Sequence, residues 1–162
     1  LGLKAIMPMN YGFRNYFNNV HEVRTPADMK GQKVRTSYSP IEMAIIKAQG
    51  GNPTPIAWGE VISALAQGVV DGCGNADAII YSSKQYEVLK YYTETKYMYS
   101  IFTLFMNKKI FDGLPKDIQK IIMDSGKEAL ASFPAWDEVS QFDFAKLLSK
   151  LRTCQEITGP RP

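Results

Sequence analysis

The chain has 162 residues, 22% of them charged and 45% hydrophobic, with a formal net charge of +3 and an isoelectric point near 8.8. That size and composition suit one globular domain or lobe with a real core. The mild positive charge forms no Lys/Arg cluster and no basic stripe interleaved with aromatics, which argues against a nucleic-acid partner, and no apolar run approaches membrane-spanning length.

In chain order, no charged segment followed by an apolar stretch opens the sequence, so a signal peptide is not expected in this chain. Leu1 falls inside a predicted strand, and the chain reads as a fragment or a processed product. Organisation becomes clear from Met29 to Asn75. After the turn-forming Lys30-Gly31, residues 32–37 (QKVRTS) read as a strand that carries Arg35 near its end. Ser39, Pro40 and Glu42 are the cap, first-turn proline and capping-box acid of a helix, with Ile41, Ala44, Ile45 and Ala48 expected to face the core and Gly50-Gly51 to stop it. Residues 52–57 (NPTPIA) hold two prolines and predict a short or edge strand. Trp58-Gly59-Glu60 opens a second helix with Val61 and Leu65, together with Ile62 and Ala64, turned inward, and Gly68 closes it. Val69-Val70 reads as a brief β run, and Asp71-Gly72 as a turn. Strand, helix, strand, helix, strand in so short a space is half of a doubly wound α/β fold with parallel strands.

Residues 97–106 (YMYSIFTLFM) contain no charge and no glycine and predict a buried strand, either crossing between lobes or part of an ordinary core. Leu114-Pro115-Lys116-Asp117 starts another helix, with Ile118, Ile121, Ile122 and Ala129 as its apolar stripe. Pro134 interrupts it, an apolar pattern resumes from Val139 to Leu151, and residues 153–162 read as a disordered tail. No internal repeat or low-complexity tract is present.

Few residues offer catalytic chemistry. His21 is the single histidine and lies in a polar, loop-like stretch, where a surface role is the plainer reading. Cys73 and Cys154 form no C-x-x-C pair, which argues against zinc; a disulfide between them stays open in an oxidising compartment. Cys73 reads as a small buried side chain or as a reactive thiol. No glycine fingerprint for a phosphate follows a strand, and no cofactor is implied. Arg35, at the carboxyl end of a strand in an open α/β sheet, sits where such sheets hold ligands and could grip a carboxylate with two parallel bonds; taken alone it reads more readily as a surface arginine.

The strings MKGQKVR, GGNPTPIAWGEVISALAQGVVDG and CGN, in that order, resemble the DctP-type solute-binding proteins of tripartite ATP-independent periplasmic (TRAP) transporters. The likeness continues through YSSKQYEVLKYY and MNKKIFDGLPKDIQKII and covers residues 3 to 132. It implies an α/β, periplasmic-binding-protein-like lobe: a mainly parallel sheet flanked by helices, with a long C-terminal helical region. Such proteins are close to twice this length, with two lobes joined by crossing strands. By that resemblance residues 1–12 are the end of the first lobe or a crossing strand, 13–98 the ligand-facing second lobe, 99–152 the crossing strand and helices returning to the first lobe, and 153–162 the tail.

The resemblance also assigns roles. Arg35 matches the family's carboxylate clamp, and Asn75 its ligand-bonding asparagine, with a turn or cap asparagine as the alternative. Trp58 matches a position for an aromatic wall, against a core tryptophan. Arg14 resembles a second cationic position, against a solvated arginine. Tyr38 stands where some relatives have a small polar residue, a departure that would shrink the pocket. Asp77 is read as a helix N-terminal carboxylate or as a partner for a ligand amine or hydroxyl. Glu60 and Asp71-Gly72 mark the family more than the site. The implied function is that of a periplasmic, non-enzymatic component that captures a small organic acid and delivers it to TRAP membrane subunits. The alternatives are a small α/β enzyme acting on an organic acid through Cys73, and a sensor that reports ligand to a receptor. An exposed apolar lobe interface would allow self-association.

Overall fold

The computed structural model describes residues 1–132 and 152–153. Two long strands frame it, β1 (Leu3–Asn18) and β5 (Tyr91–Asn107), paired antiparallel from Leu3 opposite Asn107 to Asn18 opposite Tyr91. Between them the chain folds β2 (Lys33–Thr36), α1 (Pro40–Ala48), β3 (Asn52–Pro55), α2 (Val61–Ala66), β4 (Gly72–Asn75) and α3 (Asp77–Ser82). After β5 come α4 (Lys108–Gly113), α5 (Lys116–Ser132) and β6 (Arg152–Thr153). The sheet order is β3-β2-β4-β1-β5-β6. β2 runs parallel to β3 and β4, β6 runs parallel to β5, and β1 runs antiparallel to both its neighbours. The α/β architecture with helices flanking a mainly parallel sheet is as the sequence implies.

α1 starts where expected, with Ser39 Oγ accepting from the Glu42 amide at 3.5 Å and Pro40 in the first turn. The Glu42 carboxylate does not close a capping box. It turns inward, where Oε2 accepts from the Ser37 amide at 2.9 Å and from Ser37 Oγ at 2.5 Å. Glu42 and Ile46, four residues apart, share the inner face of the helix. Both are buried, while Ile41, Ala44 and Ala48, expected in the core, are exposed. Gly50 ends the helix at φ +92°, a conformation a side chain would resist. β3, with its two prolines, is the edge strand the composition predicts. In α2, Val61, Ala64 and Leu65 are buried, whereas Ile62 stays 43% exposed.

One expected turn is a strand. Asp71-Gly72 leads directly into β4, whose four residues are all buried. Asp71 stitches its entry between neighbours: its amide donates to the Lys33 carbonyl at 2.8 Å, its Oδ2 accepts from the Lys33 amide at 2.7 Å, and its carbonyl accepts from the Asn19 amide at 2.8 Å. Glycine is required in this strand for close approach rather than for turning. A Cβ on Gly72 would overlap the Phe17 carbonyl, and one on Gly74 would overlap the Tyr97 ring.

Each face of the sheet carries its own core. Phe17, Val61, Leu65, Val70, Cys73, Ile80 and Tyr92 pack with α2 and α3. Tyr16, Val23, Met29, Val34 and Ile46 pack with α1. Toward the start of β1 and the end of β5 the core gives out: Ile101, Phe102, Leu104 and Phe105 are each half exposed or more. The predicted burial of residues 97–106 therefore does not hold for the described residues. Neither does that of the whole α5 stripe, since Ile118 and Ile121 are exposed and Gly126 is the residue seated against Ile6 of β1. Thr153, assigned to a disordered tail, forms a strand pair with Tyr92. The interruption at Pro134, the apolar pattern from residue 139 to 151, Cys154 and the rest of the tail lie outside the described residues. Among the described residues no helix is long and apolar enough to cross a membrane.

Candidate functional site

Parallel strands deliver their carboxyl ends to one edge of the sheet, and two candidates sit there side by side. Arg35 is one residue from the end of β2 and lies opposite Cys73 of β4; Asn75 is the last residue of β4. Arg35 is only 5% exposed. Its Nε and Nη2 donate to the Ile56 carbonyl at 3.0 and 2.8 Å, which fixes the plane of the group. Among the described residues no carboxylate pairs with it and Nη1 makes no hydrogen bond. Burial lowers the pKa of this guanidinium, and nearby Glu42 opposes that shift. A buried cation without a paired anion is unfavourable.

Trp58 lies over the guanidinium, its ring centre 5.6 Å from Cζ. It is 49% exposed, which overturns the core-tryptophan alternative and leaves one face open. Asn75, 2% exposed, accepts at Oδ1 from the Tyr11 hydroxyl and from the Ala76 amide, the latter at 3.0 Å. Its amide nitrogen is not used in either bond.

Arg14 is not a solvated arginine. Its side chain is 13% exposed, and Nη1 lies 3.3 Å from Oε1 of Glu42, whose side chain is 3% exposed. Arg14 Nε and the Tyr97 hydroxyl are buried without partners. Tyr38 is 70% exposed, and no described hydrogen bond or ring contact brings it to the other candidates. The site thus assembles Arg35, Trp58, Asn75 and Arg14, and leaves Tyr38 apart.

Sequence reasoning missed four contributors. Glu42 read as a capping acid, and no local signal marked it as the partner of Arg14. Tyr11 precedes the Gly12-Phe13-Arg14 segment and reaches Asn75 across the sheet. Tyr97 fills the space over Gly74 and follows Lys96, a non-glycine residue at φ +44°. Asn15, opposite Asn75 in the sheet, donates from Nδ2 to both oxygens of Asp77 at 3.0 and 3.2 Å and accepts from the Lys96 amide at 2.9 Å. Burial pushes the Asp77 carboxyl up to about 6, against the lowering effect of the Asn15 bond. The plain reading of Asp77 as a helix N-terminal acid is therefore incomplete, because it also ties α3 to β1.

Cys73 is a poor nucleophile. It is buried, its Sγ donates to Gln85 Oε1 at 3.5 Å, and burial pushes its thiol up to about 12. His21 is exposed, with Nδ1 against the Glu22 carbonyl at 2.9 Å. Among the described residues no group of three or more His, Cys, Asp or Glu side chains could hold a metal ion.

A family model described as bacterial extracellular solute-binding protein, family 7 (DctP) matches residues 1–149. The 2,3-diketo-L-gulonate-binding periplasmic protein YiaO of Escherichia coli is 36% identical over 128 residues, which is 79% of this chain and 39% of YiaO. A TRAP periplasmic solute-binding protein from Sulfitobacter sp. NAS-14.1, solved with β-D-galacturonate, superposes with a TM-score of 0.91 at 32% identity, covering 97% of this chain and 53% of that one. One from Chromohalobacter salexigens, solved with D-glucuronate, gives 0.88 at 31%, covering 94% and 51%. The chain spans well under half the length of such curated relatives and about half of the solved chains. Members of this family are binding proteins of transporters rather than enzymes. The chain belongs to the DctP family of bacterial extracellular solute-binding proteins, the periplasmic solute-binding proteins of TRAP transporters.

Proposed function

We propose that this chain is the ligand-facing part of an extracytoplasmic binding protein that captures a small organic acid through Arg35 and delivers it to the membrane subunits of a TRAP transporter. The observation that carries this reading is a buried guanidinium at the carboxyl end of β2 whose only hydrogen-bond acceptor among the described residues is a neutral carbonyl. Ile56 occupies the Nε/Nη2 edge, so a carboxylate would approach the end presented by Nη1 and Nη2. Trp58 would cover the apolar side of the ligand, Asn75 would donate from its amide nitrogen, and Tyr38 would meet the ligand at the rim. Arg14, paired with Glu42, would stand behind the clamp and offer only its Nε hydrogen. Sugar acids are the first candidates, because the relatives named above bind 2,3-diketo-L-gulonate or were solved with uronates.

The lobe boundaries belong to the same proposal. Gly12 pairs with Ser100 and Phe13 with Tyr99, so the divisions at 12/13 and 98/99 fall at one level of the β1–β5 ribbon. Registers shift between Asn10 and Gly12, which supports bending there. Beyond that level we assign the apolar ribbon to contact with the rest of the protein, with self-association as the consequence where that contact is missing.

Isothermal titration with a panel of uronates, aldonates and small dicarboxylates tests the clamp, on this chain and on the protein extended to the length of its relatives. Saturable binding that Arg35→Ala abolishes and Arg35→Lys restores only weakly is the expected result. Carboxylate binding of equal strength without Arg35 would overturn it.

A further inference from the structure

Two guanidinium groups, one of them the proposed clamp, and one carboxylate form a largely buried cluster. Arg14 comes from β1, Arg35 from β2 and Glu42 from the first turn of α1. Glu42 is held on both oxygens: Oε1 faces Arg14 Nη1 at 3.3 Å, and Oε2 accepts from the Ser37 amide and hydroxyl at 2.9 and 2.5 Å. It therefore cannot swing toward Arg35 without abandoning three contacts. Ser37 lies two residues beyond Arg35, and its hydroxyl also accepts from the Ser39 amide at 3.2 Å, so the carboxylate is locked to the strand end that carries the clamp. In so buried a setting charges are weakly screened, and their balance decides which ligand charge is accepted.

Resting on the clamp reading above, we propose that Glu42 is a specificity-determining residue that sets the ligand's charge: by neutralising Arg14 it leaves Arg35 as the uncompensated cation, so the site takes a monocarboxylate and disfavours the dicarboxylate of the same skeleton. Arg35 senses both other groups, since Glu42 raises and Arg14 lowers its pKa. Asp77 does not alter this balance, because its charged neighbours are Glu94 and Lys96. Arg14 Nε, buried and unpartnered, still has a bond to give to a water or a ligand hydroxyl, but its charge is already spent.

The test is a set of matched acids, D-galacturonate against D-galactarate, D-gluconate against D-glucarate, and butyrate against succinate, titrated into the protein and its Glu42→Gln variant. The wild type should bind the monoanion of whichever pair it recognises about tenfold or more tightly than the dianion. Glu42→Gln should shift that ratio toward the dianion by about tenfold or more, since the second guanidinium then lacks its anion. A wild-type preference for the dianion would overturn the proposal, even if the variant fails to fold. So would an unchanged ratio in a folded variant. These outcomes differ from failure of the clamp itself, which would appear as carboxylate binding indifferent to Arg35→Ala. Absence of binding by every acid would remove both readings together.

Discussion

The two ends of the β1–β5 ribbon behave oppositely. From Asn15 to Asn18 every β1 residue is buried, and it is there that β1 meets β4 and is covered by helices. From Ile101 to Phe105 the apolar residues of β5 are largely exposed on both sides of the strand, because neighbours along a strand point to opposite faces, and among the described residues the helical cover there extends only to β1 around Ile6 and to Phe111. The same pairing and similar composition thus produce a finished core at one end and an apolar surface at the other. What differs is the presence of α1, α2 and α3. A long ribbon does not generate its own core, and the helices that follow short parallel strands supply it.

Truncation of an aromatic residue at each end gives the sharpest contrast. Phe17 is fully buried, with its ring centre 5.0 Å from that of Tyr92. Phe17→Ala should cost about 3–5 kcal/mol, through lost burial and the cavity left behind. Denaturant unfolding followed by circular dichroism would show it as a large fall in midpoint at an unchanged slope. A loss below about 1 kcal/mol would mean that the finished end of the ribbon is far looser than its packing implies.

Legibility in the sequence follows the same division. Where turn chemistry and helix period agree, as at Ser39-Pro40 or Gly50, elements were readable to the residue. Two failures have one origin, a residue type with two physical uses. Gly72 looked like a turn glycine and is instead a strand residue that Phe17 passes closely, as Tyr97 passes Gly74. Glu42 looked like a capping acid and is the buried anion of Arg14. Local propensity cannot separate these uses, because the deciding neighbour lies far along the chain. Arg35, Asn75 and Trp58 were singled out through ordered motifs rather than through any local signal. Tyr11 and Asn15 were invisible, since their roles rest on the pairing of β1 with β4.

The junction between the two ends can be probed through pH. Asp77 joins α3 to Asn15, and Asn15 in turn holds the Lys96 amide where β5 departs from regular pairing. Burial raises the Asp77 carboxyl from 3.8 to about 6, so the folded state favours its neutral form. The resulting stabilisation is full below the unfolded value near 3.9 and is lost as pH rises toward 6. On the order of 3 kcal/mol should drain away across that window. Unfolding curves at pH 4, 5, 6 and 7 should therefore diverge between the wild type and Asp77→Asn, with the variant gaining relative stability at the higher values. Parallel curves would show that the carboxyl is solvated in solution.

At the uncovered end, the expected effect on stability is the smallest and its sign in solution behaviour the most informative. Phe105 is 52% exposed and lies opposite Ala5 of β1. Phe105→Ser removes little buried area, so the unfolding midpoint should move by no more than about 0.5 kcal/mol. Self-association is a different matter, because a contiguous apolar surface favours contact with a second molecule. Sedimentation velocity of this chain should show less association for Phe105→Ser than for the wild type, and the protein extended to the length of its relatives should show little dependence on Phe105. If instead the substitution destabilised the chain as much as Phe17→Ala, Phe105 would be buried in solution by the chain itself. The two ends of the ribbon would then be alike, and the surface assigned to the rest of the protein would already be occupied.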